Sequence, residues 1–178
     1  MKVDGTPMRT IWPARLPEAG RPGAVGIIDQ TRLPHAFVTV ELATREDAAH
    51  AIAEMLVRGA PLIGATAAYG MALALHGDAS DARLAESRAM LQATRPTAVN
   101  LAWALDRVER ALTPIAEAER EAAAWALAAE IADEDVEINR MIGAHGLPII
   151  RELAAATASG EPVNILTHCN AGGLATVD

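Results

Sequence analysis

The stretch Ile165-Leu-Thr-His-Cys-Asn-Ala-Gly-Gly-Leu-Ala-Thr-Val-Asp178 decides how the rest of the sequence is interpreted. Val163 to Leu166 is apolar and β-branched and follows Gly160 and Pro162, which predicts a short buried strand. From Leu174 an apolar pattern resumes, as at the start of a helix. Ligands bind at such strand-to-helix turns in α/β sheets, because free backbone N–H groups and the helix dipole face the crevice. The stretch therefore predicts a strand, a ligand-binding turn and a following helix.

The only cysteine of the chain, Cys169, lies in that turn. The positive potential of a helix N-terminus would favour its thiolate, yet a lone free cysteine is more often inert core. The neighbouring His168 would point to the opposite face of a continuing strand, so a Cys–His pair is not expected. One cysteine cannot form an internal disulfide, which fits the reducing cytoplasm.

Composition narrows the function classes. Hydrophobic residues make up 51% of the sequence and aromatic residues 3%, so the core must consist mainly of Ala, Leu, Ile and Val. Fifteen basic against twenty-three acidic residues give a net charge of −8, which argues against a nucleic-acid-binding protein. Neither a signal-peptide pattern nor an apolar run of about eighteen residues occurs, so we expect no membrane segment.

The first 145 residues predict an α+β domain, in which a small antiparallel sheet joins a helical bundle. Three β-rich runs are separated by turns rich in proline and glycine: Arg9 to Trp12, Ala24 to Ile28 and Ala36 to Leu42. Apolar residues then recur at helical spacing. The predicted helices are one from Thr44 to about Arg58, a central one from Leu62 to Leu75, one from Ser80 to Thr94, one capped by Thr97, and one from Glu117 to Gly143.

A second domain is predicted for residues 146–178. Gly146 and Pro148 mark a joint, and a short helix from Ile149 to Ala158 leads to the strand before Cys169. This order is that of a beginning α/β domain. Because one strand cannot bury itself, we expect the rest of such a domain to lie outside these 178 residues.

Two further groups of side chains are interpreted as structural. The acidic run Asp133-Glu-Asp135 predicts a solvated helix face, since a metal site would need converging oxygen ligands. Isolated aromatic residues at irregular spacing are usually core. The residues concerned are Tyr69, Trp12, Trp103 and Trp125.

Three motifs occur in order along the chain: Arg58-Gly-Ala-Pro-Leu-Ile-Gly64, Arg95-Pro-Thr-Ala-Val-Asn100 and Thr167-His-Cys-Asn-Ala-Gly172. With them, the sequence resembles the methylthioribose-1-phosphate isomerase family from Arg9 to its last residue. The resemblance implies an aldose–ketose isomerase of methionine salvage that is cytoplasmic, commonly homodimeric and free of cofactor and metal. It also implies that the domain beginning at residue 146 is Rossmann-like. The broader superfamily also contains ribose-1,5-bisphosphate isomerases and the regulatory subunits of a translation-initiation exchange factor. Both therefore remain alternatives.

The resemblance also implies roles for particular residues. Cys169 matches the catalytic cysteine, and a small-molecule sugar phosphate would be held by Arg58, Gly59, Ala60, Arg95, Asn170 and Gly172. Arg58 and Arg95 both lie at breaks between predicted helices. The planar guanidinium of arginine binds phosphate through two hydrogen bonds. An arbitrary arginine at the end of a helix, however, more often caps the helix C-terminus. The family pairs its cysteine with a downstream aspartate. Asp178 follows Cys169 too closely to match it and is interpreted as an ordinary helical residue.

Overall fold

The computed structural model describes residues 1–157, 161–168 and 172–178. The strands are β1 Lys2–Val3, β2 Thr6–Pro7, β3 Ile11–Arg15, β4 Ala24–Ile28 and β5 Thr39–Leu42. The helices are α1 Arg45–Ala53, α2 Ala60–Ala74, α3 Asp81–Thr94, α4 Val99–Leu112 and α5 Glu117–Ala156, and a 3₁₀ turn covers Gln30–Arg32.

The sheet has the order β3-β4-β5, and both strand pairs are antiparallel. All five residues of β4 are buried, because this strand lies between two neighbours and against the helices. Ile27 of β4 lies opposite Ile11 on one side and Val40 on the other. The small antiparallel sheet predicted from the β-rich runs is confirmed. The two-residue strands β1 and β2 form a separate hairpin, too short to give a sequence signal.

Helix α1 begins as predicted. The Thr44 hydroxyl accepts a hydrogen bond from the Asp47 N–H, and the Asp47 carboxylate accepts one from the Thr44 N–H, each at 3.0 Å. The predicted end near Arg58 is wrong, since α1 stops at Ala53 and Met55 takes a left-handed conformation with φ of 60°. The residues after Ala53 therefore form a loop, and this loop carries Arg58.

Helix α2 occupies the centre of the molecule, and every residue from Leu62 to Ala74 is buried. This confirms the prediction from its nearly uniform apolar pattern. Gly64 permits close packing with α4, because a Cβ at this position would lie 3.2 Å from the carbonyl oxygen of Asn100. The first turns of α2 and α4 are thereby held side by side.

Helix α4 begins later than predicted. The Ala98 N–H donates to the Arg95 carbonyl oxygen at 3.0 Å, which closes a β-turn with Pro96 in its favoured second position. Thr97 lies inside this turn and cannot cap the helix, so the predicted Thr97 cap is wrong. Ala98 is the N-cap residue and offers no side-chain acceptor to the first turn.

Helix α5 runs without interruption for 40 residues. The joint predicted at Gly146 and Pro148, and the separate helix after it, are wrong. Proline removes one backbone hydrogen bond from a helix, and here the freed carbonyl of Ala144 lies in an exposed turn where water can bind it. Ala158, the predicted end of the separate helix, lies outside the described residues.

The strand predicted over residues 163–166 is also wrong, since residues 161–168 are neither strand nor helix. Ile165 is 69% exposed and Leu166 99% exposed. A strand needs a hydrogen-bonded neighbour, and within the described ranges none lies beside this segment. Residues 172–178 form turns rather than the predicted helix, because their backbone groups bond to other parts of the chain.

The α+β class of the main body is confirmed by this sheet and the five helices, of which α1 packs against β5 and α2 against β3. The domain division at residue 145 and the Rossmann-like character of residues 146–178 stay predictions. Within the described part of the chain, no helix is both long and apolar enough to cross a membrane.

Candidate anion-binding site

Two loops that precede helices meet at one cavity of about 340 Å³. One loop leads from α1 into α2 and carries Arg58, and the other leads from α3 into α4 and carries Arg95. The cavity is lined by Met55, Arg58, Gly59, Ala60, Ile63, Arg95, Ala98, Val99, Asn100 and Leu101. The structure thus brings together four of the residues predicted to hold the sugar phosphate, although the two arginines are far apart in the chain. These four are Arg58, Gly59, Ala60 and Arg95. Their role as ligands stays a prediction.

The first turn of α4 lines this cavity and has unused hydrogen-bond donors. Its N-cap residue makes no side-chain hydrogen bond, and within the described ranges no acceptor is found for the N–H groups of Val99, Asn100 and Leu101. All three residues line the cavity. Free amides at a helix N-terminus, together with the helix dipole, favour a bound anion.

The first turn of α2 is built differently. Gly59 is its N-cap residue with φ of 92°, and a Cβ there would lie 2.3 Å from the carbonyl oxygen of Ala175. That same carbonyl accepts a hydrogen bond from the Leu62 N–H at 3.3 Å. Because Pro61 has no N–H, Ala60 carries the one N–H of this turn that lacks an acceptor within the described residues. Glycine is needed at position 59 by both the backbone angle and the close contact.

The charge of the cavity is positive although the chain carries a net charge of −8. No carboxylate is among the lining residues. In the described part of the chain, no ion pair within 4.0 Å involves Arg58 or Arg95, whereas Arg45, Arg88 and Arg107 each contact a carboxylate. The two cavity arginines are therefore available to an external anion.

An apolar groove adjoins the cavity and shares Val99 and Asn100 with it. The groove encloses about 410 Å³ and is also lined by Pro61, Trp103, Ile131, Glu134, Asp135 and Ile138. Trp103 is 46% exposed, so its predicted place in the core is wrong. Its ring lies 5.6 Å from the guanidinium carbon of Arg107, a cation–π contact made at the surface.

The remaining predicted site residues are less well placed. Cys169 and Asn170 lie outside the described residues. Gly172 has φ of 122°, its carbonyl accepts the Ala175 N–H at 2.8 Å, and it does not line the cavity. Asp178, interpreted as helical, lies in a segment without helix.

The acidic run of α5 has more than one function in the structure. Asp133 is exposed as predicted and pairs with Arg9 at 2.6 Å. Asp135 departs from the prediction, because its Oδ2 accepts the Val177 N–H at 2.7 Å and so holds the 172–178 segment. Glu134 pairs with Arg107, whose hydrogen bond holds the pKa of this carboxyl below its usual value. No cluster of three metal-binding side chains occurs within the described ranges.

The sequence did not identify the α4 amides as a candidate site. Asn100 stands in the second motif, but the three free amides depend on where α4 begins. The β-turn at Pro96 is the signal that could have shifted this start past Thr97.

An α+β domain with an arginine-lined cavity between two helix N-termini, a candidate anion site, is the class of protein that fold and cavity define. Residues 56–177 match the model of the initiation factor 2 subunit family, and the chain belongs to that family.

Its relatives include proteins of two lengths. A protein named methylthioribose-1-phosphate isomerase from Paramagnetospirillum magneticum is 61% identical over 178 residues, which is all of this chain and 47% of the relative. An uncharacterized protein encoded in the petC 3′ region of Rhodospirillum rubrum is 58% identical, with 100% of this chain and 96% of that protein covered. The chain thus spans about half the length of the isomerase relative.

Two solved structures share the fold. The 5-methylthioribose 1-phosphate isomerase of Pyrococcus horikoshii OT3 superimposes with a TM-score of 0.74 at 37% identity, covering 96% of this chain and 46% of that one. The translation initiation factor eIF-2B subunit delta from A. fulgidus gives a TM-score of 0.74 at 36% identity, covering 97% and 48%.

Proposed function

We propose that this chain forms the sugar-phosphate-binding part of an isomerase that converts 5-methylthioribose 1-phosphate to 5-methylthioribulose 1-phosphate. The observation that carries the proposal is that Arg58 and Arg95 line the same cavity. In the described part of the chain, neither has a carboxylate partner. The names of the isomerase relatives support the choice of substrate.

A phosphate group suits the donors of the cavity. Each guanidinium can donate two parallel hydrogen bonds to phosphate oxygens, and such charge-assisted bonds are stronger than neutral ones. The free amides of Ala60, Val99, Asn100 and Leu101 offer further donors to a group that carries only acceptors. The apolar groove beside Val99 offers space for an uncharged substituent such as methylthio.

The proposed reaction conserves all atoms of the sugar. Ring opening breaks the bond between C1 and the ring oxygen, and that oxygen gains a proton. The hydrogen of C2 moves to C1, and loss of the C2 hydroxyl proton leaves the carbonyl of the ketose. An acid–base pair in a pocket that excludes water is the minimal equipment. The family resemblance assigns one member of the pair to Cys169 and the other to a downstream aspartate that these 178 residues lack.

The wider biological setting is part of the same proposal. Methionine salvage, a cytoplasmic location, homodimeric assembly and independence of cofactors all follow from the family resemblance. The relatives' names support the sugar-phosphate chemistry alone.

A non-catalytic sugar-phosphate-binding subunit is the second candidate. Its support is the equal structural similarity to the initiation factor subunit, since the TM-score is 0.74 in both comparisons. Ribose 1,5-bisphosphate is a poorer substrate candidate. The groove next to the cavity carries Glu134 and Asp135, which would repel a second phosphate.

Ketose formation from methylthioribose 1-phosphate tests the proposal directly. Two proteins are compared: the 178-residue chain, and a chimera in which it replaces the matching part of the Paramagnetospirillum magneticum relative. We expect the chain to bind the sugar phosphate in a calorimetric titration and the chimera to form ketose. A matched chimera with Cys169→Ala should bind but turn over slower by orders of magnitude.

The outcomes separate the candidates. Binding by the chain with ketose formation by the chimera supports the isomerase. Binding with no turnover by either protein favours the non-catalytic subunit. If the chain binds no sugar phosphate and the chimera forms no ketose, both candidates fail.

A further inference from the structure

Gln30 connects the two segments that form the Gly59 turn. It lies in the 3₁₀ turn after β4 and is 6% exposed. Its backbone N–H donates to the Leu56 carbonyl at 2.9 Å, and its side-chain Nε2 donates to the Leu174 carbonyl at 2.7 Å. One residue is therefore bonded to the loop that carries Arg58 and to the 172–178 segment, 144 positions away in sequence.

Both bonds lie next to the contact that shapes the cavity. Leu56 stands two residues before Arg58, and Leu174 directly precedes Ala175, whose carbonyl meets Gly59 and caps the Leu62 N–H. The other side of Ala175 is anchored as well, because the Thr10 hydroxyl donates to the Thr176 carbonyl at 2.6 Å and Asp135 holds Val177. Ala175 is thus flanked by the Gln30 bond on one side and the Thr10 bond on the other, and Gln30 alone of the two is also bonded to the loop that carries Arg58.

The side-chain amide of Gln30 carries a free-energy cost at this position. The Oε1 atom of Gln30 is buried, and no donor reaches it from the described residues. A buried acceptor without a partner is unfavourable, so an apolar residue of the same length would avoid that penalty. It would also lose the bond to Leu174. The hydrogen bond to Leu174 is therefore what distinguishes glutamine here from an apolar residue of the same length.

We propose that Gln30 is a positioning residue of the anion pocket, holding Ala175 against Gly59 and thereby fixing the turn that carries Arg58. The inference rests on the proposed function to the extent that this pocket is the proposed phosphate site. Gln30 itself does not line the cavity, so its effect on ligand binding would be indirect.

Amide hydrogen exchange of the 178-residue chain, followed by NMR at pH 8, measures the contact without any ligand. In Gln30→Met and Gln30→Glu, both of similar length and without an Nε2 donor, we expect the Leu62 amide to exchange about tenfold faster. Amides in the middle of α2, such as that of Tyr69, should be unchanged. Gln92→Met on α3 is the matched control and should leave Leu62 unaffected.

Calorimetric titration with methylthioribose 1-phosphate gives the second readout. We expect the dissociation constant to rise about tenfold in the two Gln30 variants and to stay unchanged in Gln92→Met. Faster exchange at Leu62 together with weaker binding supports the inference. Faster exchange with unchanged affinity overturns the positioning role.

The two proposals can fail separately. If the wild-type chain binds no sugar phosphate and the chimera forms no ketose, but Leu62 exchanges faster in both variants, the contact stands and the proposed function falls. If Leu62 exchange is unchanged in both variants, or changes only in Gln30→Met, the hydrogen bond to Leu174 does not hold the turn and the inference is overturned.

Discussion

The arginines that connect neighbouring helices, here called the helical face, differ from the two cavity arginines, Arg58 and Arg95, in what they contact. Arg45, Arg88 and Arg107 bind carboxylates of neighbouring helices, and the buried Arg120 binds backbone carbonyls and Asp81. The cavity arginines have no carboxylate within 4.0 Å in the described part of the chain. Arg21, Arg32, Arg110 and Arg151 also make no ion pair within the described residues, but only Arg58 and Arg95 among these arginines line the cavity. The comparison teaches that the first group stabilises the fold and the second is available to a ligand.

Replacing Arg120 should produce the largest effect on stability. This residue is 5% exposed, and its guanidinium donates to the carbonyls of Leu112, Ile115, Ala79 and Thr113 at 2.9 to 3.2 Å. Arg120→Met removes the donors of all four hydrogen bonds and the ion pair with Asp81, and we expect a loss of about 3 kcal/mol in the free energy of unfolding. Urea denaturation measures it.

The control for this variant is Arg110→Met on α4. Arg110 is exposed and makes one hydrogen bond, to the Asp106 carbonyl at 3.1 Å, so its loss should cost less than about 0.5 kcal/mol. Similar losses in both variants would contradict a structural role particular to Arg120.

Replacing a cavity arginine should weaken ligand binding and leave the stability of the fold unchanged. Arg58→Lys keeps the charge but loses the planar fork, so we expect affinity for methylthioribose 1-phosphate to fall about 30-fold, or about 2 kcal/mol. The free energy of unfolding should be unchanged, because Arg58 makes no ion pair within the described residues. Titration calorimetry with Arg21→Lys as the exposed control measures the difference. Unchanged affinity would place Arg58 with the structural arginines.

The sequence predicted those parts of the fold that depend on local pattern. The β-rich runs identified the sheet, the apolar run after Pro61 identified the central helix, and Pro96 marked the end of α3. The errors arose where distant contacts or solvent decide. An exposed turn tolerates Pro148 inside α5, and residues 163–166 lack a neighbouring strand.

The site was predictable to a similar degree. The motifs named Arg58 and Arg95, but sequence alone could not show that their cavity has no acid in its lining. The Gln30–Leu174 bond joins residues 144 apart, and no local periodicity reports such a contact. The free amides of α4 depend on a helix start that differs by one residue from the predicted one.

Acid should weaken the ion pair between Arg107 and Glu134, one of the arginine–carboxylate contacts between helices. The Arg107 hydrogen bond lowers the pKa of Glu134 from 4.5, so this pair stabilises the fold above about pH 4.5 and the contribution is lost as the pH falls through the lowered pKa. Because the Glu134 side chain is 43% exposed, the effect is modest. Between pH 5 and pH 3, wild-type protein should lose about 0.5 kcal/mol more stability than Glu134→Gln. Glu119→Gln, changed at an exposed site of the same helix, should follow wild type, and an equal acid loss in Glu134→Gln would contradict the assignment.

The smallest effect concerns the wall of the cavity. Met55 lines it in a left-handed conformation with φ of 60°, which disfavours any residue with a Cβ. Met55→Gly relieves that strain and at the same time increases the entropy of the unfolded chain, so we expect a net stabilisation of about 0.3 kcal/mol. Met141→Gly, inside α5, should instead lose about 1 kcal/mol because glycine disfavours a helix interior. Urea denaturation measures the change in the free energy of unfolding of both variants. A gain for Met55→Gly with a loss for Met141→Gly would show backbone strain at the cavity wall that the helix interior does not carry. A loss of stability in both variants would remove that distinction.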